Sequence, residues 1–96
     1  MSNPTIEAPP GGFQGPVKRS ITIAGHPTSI SLEPAFWEAL EAAAAQRGLP
    51  LNALVAQIDH LRIGAADPPN LASAIRGWLF GLRQICDIGE NDSQQR

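Results

Sequence analysis

The stretch that decides the fold is Thr28-Ser29-Ile30-Ser31-Leu32-Glu33-Pro34-Ala35-Phe36-Trp37. Its first half alternates polar and apolar residues, the period of a strand with one dry face. Its second half opens a helix: a proline in the first turn lacks only an N–H that would have had no intrahelical partner. Beyond Pro34 the apolar residues Phe36, Trp37, Leu40, Ala43 and Ala44 fall on one helical face. A single short strand leading into such a helix leaves its own edges unsatisfied. It needs a partner strand, and the expected donor is a second copy of the chain.

Working outward, a second alternating fragment, Ile21-Thr22-Ile23, precedes the strand and is separated from it by Ala24-Gly25-His26-Pro27. Two arrangements fit. Gly25 can turn the chain into a hairpin, which the turn-like composition of that tetrapeptide favours, or the fragment can be an arm leading into the ribbon. Downstream, the first helix is expected from about Pro34 to Arg47, with Gly48 as a left-handed cap. A second begins near Pro50 or Leu51, carries Leu54, Val55, Ile58 and Leu61, and ends near Gly64. The segment Ala65-Ala66-Asp67-Pro68-Pro69-Asn70 reads as a stiff connector, with Asn70 as N-cap of a third helix. That helix presents Leu71, Ile75, Trp78, Leu79, Leu82 and Ile85 on one side and is expected to end at about Cys86 or Asp87.

The chain has 96 residues, room for one domain. Residues 1–17 are rich in proline, glycine and small polar residues and read as a flexible leader; 89–96 read as a flexible tail, leaving 18–88 as the folded unit. A unit of that size buries little surface alone, and oligomerisation is the usual remedy where disulfides and metals are lacking. Cys86 is the only cysteine, so no internal bridge can form, and a reduced thiol suits the cytoplasm. The leader does not resemble a secretory signal, and no apolar run approaches the roughly 18 residues of a membrane span. Net charge is −2, which gives no global support to a nucleic-acid partner.

The layout of strand, helix, glycine-containing turn and helix resembles that of ribbon-helix-helix proteins. The run TSISLEPAFWEALEAAAAQRGLPLNALVAQI is similar to the Arc- and MetJ-like branch of that family. The wider span from Lys18 to Leu82 resembles a bacterial ribbon-helix-helix group of unassigned function. The resemblance implies a mostly α fold with a short β-ribbon, an intertwined homodimer in which one strand from each chain pairs antiparallel, and here an additional C-terminal helix. The implied dimer core is Ile30, Leu32, Phe36, Trp37, Leu40, Leu54, Val55 and Ile58. If both chains build that core, no stable folded monomer is expected.

In DNA-binding members, outward ribbon side chains read base edges and the second helix's N-terminus holds a phosphate. Carried over by position, the outward residues are Pro27, Ser29 and Ser31, and the clamp is Pro50, Leu51 and Asn52. Lys18 and Arg19 join them as candidate phosphate anchors, or as charges that only solvate a domain edge. The resemblance therefore implies a dimeric regulator bound to double-stranded DNA through Lys18, Arg19, Ser29, Ser31, Leu51 and Asn52. The competing reading is an adaptor that keeps the dimeric fold and uses the third helix for a protein partner, motivated by Pro27 and the acidic balance.

Enzymatic function has little support. No nucleophile–base–acid set and no phosphate-cradling glycine loop stand in the chain, so no catalytic residue and no cofactor are expected. His26 and His60 lack the clustered ligands of a metal site. Asp59 and His60 are neighbours in sequence, and adjacent helical residues do not face one another.

Overall fold

The computed structural model describes residues 5–95, with side chains described as far as residue 83. Two strands, β1 (Val17–Ile23) and β2 (His26–Leu32), are followed by α1 (Pro34–Gln46), α2 (Leu51–Ile63) and α3 (Leu71–Gln95). The strands pair antiparallel, with Val17 opposite Leu32 and Ile23 opposite His26. The partner of the Thr28–Leu32 strand is thus the same chain's own N-terminal fragment, the hairpin alternative, and β2 keeps one edge unpaired by β1.

Ala24 and Gly25, with φ of 50° and 82°, form the two-residue turn between the strands. Positive φ at both central positions is the geometry whose twist matches that of a hairpin's strands. Glycine adopts it freely; Ala24 does so at a cost, because its Cβ crowds the backbone there.

Helix ends follow local chemistry. Pro34 occupies the first turn of α1, and Gly48, at φ 66°, lets the chain leave it. Pro50 precedes α2 in extended backbone and Gly64 closes it. Asn70 caps α3 by accepting the Ser73 N–H at 2.8 Å. The third helix runs to Gln95, past the end expected near Cys86 or Asp87. No proline follows Pro69 to stop it. The Cys86 thiol, expected to be reduced, lies outside the described side chains. Residues 5–16 hold no helix or strand, only a turn in which the Gly12 N–H donates to the Pro9 carbonyl.

The core lies between the inner face of the hairpin and the three helices. Ile30, Leu32, Trp37, Leu40, Leu54, Val55 and Ile58 are buried, and Phe36 is half-buried at the edge. Each buried side chain of this kind stabilises by about 1.5–3 kcal/mol. A single chain encloses these residues, because Ile21 from β1 and Ile75 and Leu79 from α3 supply the remaining walls.

Polar clips hold the layers in place. The Trp37 indole N–H donates to the Val17 carbonyl at 2.9 Å, tying the start of β1 to α1. Arg76 on α3 reaches Glu33 at 2.9 Å and lies over the Phe36 ring at 5.6 Å, closing α3 onto the β2–α1 junction. Arg62 pairs with Asp59 at 2.8 Å and donates to the Pro69 carbonyl, which orients the connector into α3.

Candidate nucleic-acid interface

Side chains alternate across a strand, so the register decides what the hairpin offers to solvent. On the outer face Lys18 stands opposite Ser31, Ser20 opposite Ser29, and Thr22 opposite Pro27. Lys18, Ser20, Thr22, Pro27 and Ser29 are exposed and Ser31 is half-buried. Ser20 and Thr22 belong to this face although the resemblance pointed only to β2. Their signal was the two-residue spacing from Lys18, readable once Ala24-Gly25 is known to be the turn.

Ser29 and Ser31 occupy the expected outward positions. Arg19 does not share a face with Lys18. It stands opposite Ile30, lies over the Trp37 ring at 4.5 Å and pairs with Glu41 at 3.1 Å. Its guanidinium serves to fasten the hairpin to α1. Of the two basic residues at the strand's start, Lys18 alone projects from the outer face.

Leu51 and Asn52 open α2. The first backbone bonds accepted within this turn run from the Ala53 and Leu54 N–H groups to the Pro50 carbonyl, at 3.1 and 3.2 Å. The N–H groups of Leu51 and Asn52 come before these bonds, at the positive end of the helix dipole. No side chain caps this end and no carboxylate stands in its first turn, so nothing in the helix competes with an incoming anion. Asn52 is exposed and Leu51 half-buried.

Elsewhere four arginines are spent on the fold. Arg19, Arg62 and Arg76 are in ion pairs, and Arg47 lies over the Trp78 ring at 5.1 Å while donating to the Ala43 carbonyl. Glu33 is held below the usual carboxylate range, first by a hydrogen bond from its own backbone N–H and then by Arg76. His26 and His60 are exposed, and Asp59 is turned to Arg62 rather than to His60. Among the described residues no three metal-ligating side chains gather, and no helix is long and apolar enough to cross a membrane.

The ribbon-helix-helix domain model matches residues 16–82, which take in the hairpin, α1, α2 and the first turns of α3. Comparison with curated proteins and with solved structures found no significant match. Ribbon-helix-helix domains generally dimerise and bind DNA as regulators, and the fold is typically not that of an enzyme. With the match covering the greater part of the chain, and with a β-ribbon leading into two helices at the matching positions, this protein belongs to the ribbon-helix-helix domain family.

Proposed function

We propose that this protein is a cytoplasmic, homodimeric transcriptional regulator that lays the outer face of its hairpin in the major groove of DNA. The observation that carries this reading is the register, which ranks Lys18, Ser20, Thr22, Ser29 and Ser31 on one face of a two-stranded ribbon. A two-stranded ribbon is what a groove about 12 Å wide admits. Hydroxyls donate to or accept from any base edge, so four of them read a groove adaptably and discriminate bases weakly. Position on the duplex would come from phosphates held by Lys18 and by the Leu51 and Asn52 N–H groups.

Purified protein mixed with pooled genomic fragments is expected to retard them, with affinity falling as salt rises because phosphate contacts release counterions. Absence of retardation even at low ionic strength would sink this reading. One observation favours a second reading, an interaction module built on the same dimeric fold. With Arg19 turned onto Trp37, the outer face keeps a single cation and carries Pro27, which donates nothing. Capture of a defined protein after nuclease treatment, lost on changing α3, would favour that module.

A further inference from the structure

We infer that Trp37, Arg19 and Glu41 form a positioning clip that holds Lys18 on the outer face of the hairpin, where it can reach a DNA phosphate. The clip's role rests on the DNA reading proposed above. A hairpin is secured unevenly along its length. At the closed end Ala24 and Gly25 join the strands, and in the middle Ile21 and Ile30 are buried on the inner face. At the open end β1 begins with Val17, which is 45% exposed and so gives little apolar anchorage. Lys18 stands at that open end, opposite Ser31. Burial alone does not decide which way this lysine projects.

Three contacts do, and they fall on the residues that flank it. The Trp37 indole N–H donates to the Val17 carbonyl at 2.9 Å. Trp37 is 4% exposed, and an indole N–H buried to that degree needs an acceptor. Arg19 lies over the Trp37 ring at 4.5 Å and pairs with Glu41 at 3.1 Å. Glu41 follows Trp37 by one helical turn, so both stand on one face of α1.

With Val17 and Arg19 both tied to α1, the alternation of the strand leaves Lys18 the opposite side. A slip of one residue would exchange the two cations, sending Arg19 outward and Lys18 inward. The order of the pair matters for the same reason. A planar guanidinium covers an indole ring while its edge donates to a carboxylate, a double task for which the compact ammonium of lysine is poorly shaped. Arginine therefore belongs at the inward position, and lysine is left free for solvent or phosphate.

DNA retardation over a series of salt concentrations tests the clip, with circular dichroism checking that each variant is folded. Arg19→Ser uncovers the Trp37 ring and leaves Glu41 unpaired. It is expected to lower the slope of log affinity against log salt by about 0.9 for each protomer bound, the share of Lys18. Trp37→Phe, which keeps a ring but loses the N–H, should act in the same direction. Arg19→Leu carries no charge but still covers the ring, and should keep the wild-type slope. In a Lys18→Ala background, Arg19→Ser should change the slope no further, because the two substitutions act through one contact.

Losses that add in the double variant would overturn the clip. So would an Arg19→Leu slope as low as that of Arg19→Ser, which would put the arginine itself on a phosphate. A wild type that binds DNA while Arg19→Ser and Trp37→Phe keep its slope would overturn the clip and leave the regulator standing. Absence of retardation by the wild type would defeat the regulator and the clip's role with it.

Discussion

The two faces of the hairpin are built from alternate residues of the same strands, and they answer to different constraints. The inner rank includes Arg19, Ile21, Ile30 and Leu32, each held by packing or by a named partner on a helix. The outer rank includes Lys18, Ser20, Thr22 and Ser29, all exposed. The adjacent basic residues Lys18 and Arg19 divide between the two: one is solvated and available, the other is part of the framework. What separates them is a single step along the chain, which in a strand is a change of face.

The contrast breaks most visibly from the inner side. Leu32 is fully buried, so Leu32→Ala is expected to destabilise by about 2–5 kcal/mol, the cost of lost transfer energy plus a cavity. Urea unfolding measures it; a loss below that of an ordinary surface change would place Leu32 outside the core. A smaller gain is expected at the turn. Ala24→Asn should stabilise by about 1 kcal/mol, because asparagine accepts the left-handed backbone that alanine holds there at a cost. The midpoint of the same urea transition reads it, and a drop would mean that the turn geometry is not what sets the register.

The outer side responds differently. Lys18→Ala is expected to leave stability within about 0.5 kcal/mol. In the proposed DNA complex it should lower the slope of log affinity against log salt by about 0.9 for each protomer bound. An unchanged slope would show that Lys18 touches no phosphate. The smallest effect lies at the Glu33–Arg76 clip. The Glu33 carboxyl is depressed in the folded chain, so its contribution is complete above the ordinary carboxylate range and is lost as pH falls through the native value. Thermal melts between about pH 7 and pH 3 should therefore show wild type losing a small advantage over Glu33→Gln in acid. A constant difference between the two would remove ionisation from the clip's role.

Much of this was readable in the residues. Alternation through Thr28 to Leu32, proline at the start of α1, Gly48 after it and Asn70 before α3 each act within a few residues, so they leave a local mark. The inner-face set from Ile30 to Ile58 followed from the same periods. Arg19 was not readable: its partners Trp37 and Glu41 are about twenty residues away, and nothing near Lys18-Arg19 says which side chain turns inward. The length of α3 was missed for a related reason. Its end was inferred from where the apolar stripe stops, but backbone hydrogen bonds continue without that stripe when no breaker interrupts them.

The sequence by itself determined the Thr28 to Leu32 strand, the starts of the three helices and their caps, because periodicity and turn chemistry are properties of neighbouring residues. Only the tertiary structure decided that β2's partner is β1 of the same chain, that one chain encloses the core with α3 as its last wall, and that Arg19 turns onto Trp37. Those outcomes depend on which distant surfaces meet, and a surface acquires a partner only when the chain has folded back to bring one.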